Sequence, residues 1–294
     1  MHVSRIATDR LPRNAALVIY KGTFDPRSDA LQIADRVFIV TGASSGLGAA
    51  LARSLVDRGG RVALVARRED RIRALAQSLG PTATAIPIDI TTAEAPDIIV
   101  HKTIEAFDRI DCLINAAGRG MVGRILDIDL DHVDETYELN FIAPLRLIQR
   151  IAPLLVEQGE GVIVNISSPV SVMGLTGIGG YATAKLSLNL LSTTLRRELW
   201  GSGVHVMLAF PGVMDSEFYD SILGRKAGEP IEDRPPARAP REVAEAIVRG
   251  ITRQQRELWF LSTRETMSLR IMRFMGRFAP GGLDRGLSRP RETS

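Results

Sequence analysis

Val37-Phe38-Ile39-Val40-Thr41-Gly42-Ala43-Ser44-Ser45-Gly46-Leu47-Gly48 passes from an apolar, β-branched run into a turn with three glycines, and helical spacing begins at Gly46. A continuous apolar run of this length suits a strand buried on both faces. Glycines here allow a tight turn, and they let backbone N–H groups and the head of the helix approach a pyrophosphate. A turn that needs glycine only for positive φ would leave the same letters. The setting favours the phosphate reading, because a strand before and a helix after is the context that chemistry requires.

The same alternation continues along the chain. Strand-like runs fall at 37–41, 61–66, 83–88, 111–115, 161–167, 204–210 and 257–261, and helical spacing at 46–58, 69–79, 94–107, 131–157, 182–200 and 241–253. Strict alternation implies right-handed crossovers and an α/β fold, a single doubly wound domain with a mostly parallel seven-stranded sheet flanked by helices. This domain spans 36–263. Residues 1–35 form an extension without clear periodicity, and 264–294 form a tail. Residues 213–240 carry Gly224, Gly228, Pro230, Pro235, Pro236 and Pro240, which reads as a long loop placed to cover a ligand crevice.

Composition limits the partners. With 294 residues, 45% hydrophobic and 24% charged, the chain has enough apolar material for a sizeable core. Its pI near 9.3 invites a nucleic-acid reading. The excess charge, however, lies in residues 264–294, which carry a net +4, while the rest of the chain carries −1. The body is therefore no nucleic-acid binder. Of the 37 basic residues only four are Lys, so single arginines say little and a well-placed lysine says more. The one cysteine, Cys112, lies in an apolar run and reads as a buried thiol in a reducing compartment. No apolar run reaches the ~20 residues of a membrane span, and 15–20 is too short for a signal-peptide core. These features point to a cytoplasmic protein. The four His are scattered without ligand spacing, so no metal is expected.

Further motifs follow in order: Asp89 after the third strand, Asn115-Ala116-Ala117-Gly118 ending the fourth, Asn140, Ser168 after the fifth, Tyr181-x-x-x-Lys185, and Pro211-Gly212-Val213-Met214-Asp215-Ser216. Together with T-G-x-x-x-G-x-G at 41–48, this set resembles the short-chain dehydrogenase/reductase family. The resemblance implies a Rossmann-type fold, a catalytic tetrad of Asn140, Ser168, Tyr181 and Lys185, and hydride transfer between a nicotinamide dinucleotide and a carbonyl. It assigns cofactor contacts to Gly42, Ser44, Ser45, Gly46, Leu47, Gly48, Asp89, Ile90, Asn115, Ala116, Gly118, Tyr181, Lys185, Pro211, Gly212, Val213 and Ser216. It also implies a homodimer or homotetramer built through the helices at 131–157 and 182–200.

The chemistry suits these residue types. Four residues apart on a helix, Tyr181 and Lys185 share a face. The ammonium is expected to favour the phenolate and draw Tyr181 toward the operating pH for acid–base work. Ser168 stands thirteen residues before Tyr181, the family's spacing for its serine, and its hydroxyl can stabilise charge on a carbonyl oxygen. Ser167 is the rival at fourteen. Asn140 reads either as part of a proton path or as a helix-interior amide bonded to backbone. After the second strand, Ala66 stands where a carboxylate would meet a ribose hydroxyl, and Arg67 and Arg68 follow, which favours NADP over NAD.

Candidate pocket residues are Met121, Val122, Val170, Met173, Leu175, Phe218 and Tyr219, an apolar set that suits a lipophilic ketone, aldehyde or alcohol. In the tail, Met267, Ile271, Phe274, Met275 and Phe278 fall on one helical face and Arg270, Arg273 and Arg277 on another. Such a helix could touch an anionic membrane, or pack on the body or a second subunit. A non-catalytic dinucleotide sensor would need no complete tetrad. A nucleotide-sugar epimerase would need T-G-x-x-G-x-x-G.

Overall fold

Every strand in the sheet runs parallel to its neighbours. The computed structural model describes residues 31–225 and 237–260. Residues 1–30 of the extension, 226–236 of the loop, and 261–294, including the tail, lie outside the described residues. The strands are β1 (Val37–Thr41), β2 (Arg61–Ala66), β3 (Ala83–Pro87), β4 (Cys112–Asn115), β5 (Gly161–Ile166), β6 (Val204–Phe210) and β7 (Glu257–Trp259), in the order β3-β2-β1-β4-β5-β6-β7. The helices are α1 (Gly46–Val56), α2 (Glu69–Leu79), α3 (Ala95–Phe107), α4 (Leu130–Tyr137), α5 (Ala143–Gln158), α6 (Gly179–Glu198) and α7 (Pro240–Thr252). This is a single doubly wound, Rossmann-type domain.

Continuous apolar strands are needed because both faces of the sheet are covered. Phe38 and Val40 of β1 pack under α1, α2 and α7, while Ile39 packs under α3 and α5. Leu51 and Leu55 of α1 with Ile247 and Ile251 of α7 fill the first layer, and Ile99 of α3 with Leu147 and Ile151 of α5 fill the second. Cys112 is fully buried in β4, where burial pushes its thiol up and keeps it protonated. At the amino ends of the strands, Asp111 accepts from Val37 N at 2.8 Å and from Arg36 at 2.9 Å, while Arg36 also reaches Glu160. Chain order reverses about β1, which has β2 on one side and β4 on the other, so a crevice opens at the carboxyl ends of the strands.

Two expectations need correction. The helix expected over 131–157 is interrupted: α4 passes into a π turn at Glu138–Ile142 before α5 begins. Pro144, two residues past this turn, has no N–H to give the carbonyl of Asn140, so the regular ladder is broken there. Counted through that turn, the helical run Leu130–Gln158 is long and apolar enough to cross a membrane by length and composition, contrary to the reading of the letters alone. Its apolar residues Ala143, Leu147, Ile148, Ile151 and Leu155 are spent on the sheet, which makes it a core helix.

Candidate active site

A cleft of about 1440 Å³ lies over the carboxyl ends of the strands. The turn after β1 is fixed from below by Thr41, whose Oγ1 accepts the N–H groups of Ala116 and Ala117, both at 3.0 Å. This ties the β1 turn to the β4 turn. Gly42 has φ +69°, and a Cβ on it would stand 2.8 Å from Ala117 Cα, so only glycine lets the two turns meet. No side-chain capping bond closes the head of α1 at Ser45, so that end stays open to an anion.

The expected cofactor residues Gly42, Ser44, Ser45, Gly46, Leu47, Gly48, Arg67, Arg68, Asp89, Ile90, Ala116, Gly118, Pro211, Gly212, Val213 and Ser216 line this cleft together. Asn115 does not. Its side chain is buried and donates to Asn165 Oδ1 at 2.8 Å, joining β4 to β5 rather than facing the cleft. Burial disfavours the charged form of Asp89, but hydrogen bonds from Thr91 N (3.0 Å) and Thr91 Oγ1 (2.8 Å), with the Arg67 charge 3.5 Å away, hold its carboxyl below the usual range. Lined by the glycine-rich turn and open at the head of α1, the cleft of about 1440 Å³ has room for a dinucleotide.

The two arginines after β2 differ in placement. Arg67 points outward, with its side chain 69% exposed. Arg68 lies across the glycine-rich turn, donating to Ser44 Oγ (2.8 and 3.0 Å) and Ser45 Oγ (2.6 Å), and its Nη1 meets Glu217 at 2.7 Å. Arg71, one turn further along α2, meets the same carboxylate at 2.7 Å. Sequence reasoning missed both Arg71 and Glu217. The position of Arg71 in the first turn of α2, three residues after Arg68 at its N-cap, could have signalled the first. Nothing local signals Glu217, which arrives through the fold.

Tyr181 and Lys185 both lie in α6, and Ser168 follows β5. Ser168 and Tyr181 line the same cleft, and the Ser168 hydroxyl acts on the phenol in the direction of a lower pKa. Ser167 is instead buried, with its Oγ 3.4 Å from Ser171 Oγ. Lys185, only 4% exposed, donates from Nζ to Ile166 O at 2.9 Å, which pins α6 to the end of β5. Burial pulls its ammonium down to about 8. The expectation that Lys185 draws the Tyr181 phenol downward is not met. Burial pushes that phenol well above its ordinary value and Tyr219 adds to the rise, with only the Ser168 hydroxyl opposing.

Asn140 is the backbone-bonded amide of the second expected reading. In the π turn its Nδ2 donates to Thr136 O and Arg119 O, each at 2.9 Å, while its Oδ1 turns toward Gly118. A Cβ on Gly118 would lie 2.8 Å from Asn140 Oδ1 and 3.3 Å from Lys185 Nζ. Glycine therefore keeps open the narrow space that those two side chains share.

Beyond Tyr181 the walls are apolar. Met121, Val122, Val170, Met173, Phe218 and Tyr219 line the cleft, joined by Ile178 and Ile222. Leu175 is not part of this lining. The Phe218 ring stands 6.0 Å from that of Tyr181 and 5.6 Å from that of Tyr219. These two aromatics sit in a short 3-10 helix, Glu217–Ser221, within the described part of the loop. Parallel bridging of Met121 with Leu223 and a hydrogen bond from Arg119 Nε to Ser221 O (2.6 Å) fasten that segment to the turn after β4.

Residues 36–226 match the family model for short chain dehydrogenases. An uncharacterized oxidoreductase of Mycobacterium tuberculosis is 40% identical over 183 residues, which is 62% of this chain and 71% of the relative. A short-chain dehydrogenase from Sphingobium yanoikuyae in complex with NADPH superimposes with a TM-score of 0.69 at 28% identity, covering 88% of this chain and 98% of that one. A short-chain dehydrogenase/reductase from Burkholderia phymatum in complex with NAD shares the fold with a TM-score of 0.77 at 19% identity, over 84% of this chain and 96% of the other. With the glycine-rich turn, the parallel sheet and the family match coinciding over these residues, the chain belongs to the short-chain dehydrogenase family of oxidoreductases.

Proposed function

We propose that the chain is an NADP(H)-dependent oxidoreductase that interconverts a carbonyl and a primary or secondary alcohol on a lipophilic substrate. The observation that carries this reading is that Ser168, Tyr181 and Lys185, the last two one helical turn apart on α6, line the same cleft that the glycine-rich turn borders. A nicotinamide dinucleotide, when bound, supplies or accepts the hydride. The residues of the chain do the rest. Ser168 holds the carbonyl oxygen, and Tyr181, kept neutral by burial, has a proton to give that oxygen in the direction of reduction. Lys185 and Asn140, facing each other across Gly118, form the route by which that proton is replaced.

Support for NADP over NAD comes from Arg67 and Arg68 following Ala66, with Arg68 against the hydroxyls of Ser44 and Ser45. Guanidinium pairs well with a ribose 2′-phosphate, and no carboxylate stands at position 66 to take the 2′-hydroxyl. The apolar walls at Met121, Val170, Met173 and Phe218 support the lipophilic substrate. Exposed Leu130, Leu186 and Leu190 on α4 and α6 support a homodimer or homotetramer joined through those helices.

The test is to assay full-length protein with NADPH and with NADH against steroid, retinoid, acyl-thioester and aromatic carbonyls, with sugars as the polar arm. Turnover of lipophilic carbonyls with a lower KM for NADPH is expected. Turnover confined to sugars contradicts the substrate class, and equal KM values contradict the cofactor assignment.

A further inference from the structure

Glu217 holds both arginines that flank the glycine-rich turn. Its two carboxylate oxygens lie 2.7 Å from Arg71 Nη1, and Oε2 lies 2.7 Å from Arg68 Nη1. The remaining contacts of Arg68 run to Ser44 and Ser45, so its guanidinium is shared between the turn and a carboxylate from the loop after β6. That carboxylate has not drifted there. The far end of its 3-10 helix is fastened by Leu223 N to Gly120 O (3.0 Å), Val122 N to Leu223 O (2.9 Å) and Arg119 Nε to Ser221 O (2.6 Å). Ser216, the preceding residue, abuts Gly46 of the turn.

We propose that Glu217 is a specificity-determining residue: a built-in competitor that occupies Arg68 and Arg71 until a dinucleotide bearing a 2′-phosphate displaces it. The inference rests on the reading that these arginines receive a phosphate. Hydrogen bonds from Arg68 and Arg71 hold the Glu217 carboxyl below its ordinary range, so it is ionised at neutral pH. The side chains of all three residues are nearly half exposed, a setting in which ion pairs are weak and exchangeable. A phosphomonoester brings nearly two charges and three acceptor oxygens, against one charge and two oxygens on the carboxylate. It takes the arginines, whereas a 2′-hydroxyl carries no charge with which to do so. Glu217 therefore lowers affinity for the phosphorylated dinucleotide and leaves the unphosphorylated one untouched.

The experiment measures Kd on full-length wild type, Glu217→Gln and Glu217→Ala for NADPH, NADH, adenosine 2′,5′-bisphosphate and 5′-AMP at one fixed salt concentration. Both variants are expected to bind NADPH and the bisphosphate about two- to fivefold more tightly, the range an exposed ion pair allows, with NADH and 5′-AMP unchanged. If wild type prefers NADPH but the variants bind it equally or more weakly, the competitor role is overturned while the phosphate reading stands. If wild type binds NADPH no more tightly than NADH, the phosphate reading falls, and the competitor role falls with it.

Discussion

Lys185 pays for its position with a charge inside the fold. At 4% exposure, with one hydrogen bond to Ile166 O, its ammonium titrates near 8 instead of 10.5. Between those values the unfolded chain binds a proton that the folded chain lacks, so folding stability rises with pH there. Relative to Lys185→Met, wild type should gain about 3 kcal/mol as pH climbs from 8 to above 10.5, measured by urea denaturation at a series of pH values. A flat difference would mean that the lysine is solvated. The pairing of Tyr181 with Lys185 could be read from four-residue spacing, and Ser168 from its distance to Tyr181. The direction of the Tyr181 shift could not, because desolvation is set by side chains from distant parts of the chain. The same holds for Asn115, whose letter sits in a motif but whose amide faces Asn165.

A buried chain of amides and hydroxyls seats α6 on the sheet. Asn115 Nδ2 donates to Asn165 Oδ1, Asn165 Nδ2 to Ser192 Oγ, and Ser192 Oγ to Leu188 O, at 2.8, 2.8 and 2.6 Å. Nearby, Asn189 Nδ2 reaches Ser171 Oγ (2.7 Å), which in turn donates to Ser168 O (2.6 Å). The serine and tyrosine of the site are thereby registered through β5 and α6 rather than by their own contact alone. Asn165→Ala removes the central link and strands a buried donor on Asn115, at a cost of about 2–3 kcal/mol. Thermal unfolding should show the loss; an unchanged Tm would mean the chain is dispensable.

Element boundaries were legible where a single pattern governed them. β1, β2, β6 and α2 begin and end where apolar run or helical spacing does. The π turn was not, since helical periodicity persists through 138–142 and a proline such as Pro144 need not produce one, as Pro153 inside α5 shows. That turn carries Asn140, and local irregularity of this kind concentrates at functional sites.

Across the molecule, a parallel sheet with a reversal of chain order about β1 places the glycine-rich turn, the β4 turn, the end of β5 and the β6 loop around one crevice. Alternation of short apolar runs with amphipathic helices made this architecture readable from the letters. What the loop after β6 does could not be read, because Glu217 finds Arg68 and Arg71, and Phe218 finds Tyr181, only once the sheet has brought them together. The excess positive charge lies in the tail of the sequence, while the cleft is lined largely by apolar and small side chains.

The central claim is that Tyr181 moves the proton while the rest of the cleft holds the dinucleotide. Tyr181→Phe removes one oxygen and keeps the ring beside Phe218. With any carbonyl that wild type accepts, the variant should oxidise NADPH at least about a hundredfold more slowly, while its Kd for NADPH changes by no more than the one contact its hydroxyl makes, about tenfold at most. Retained turnover in Tyr181→Phe would contradict the account.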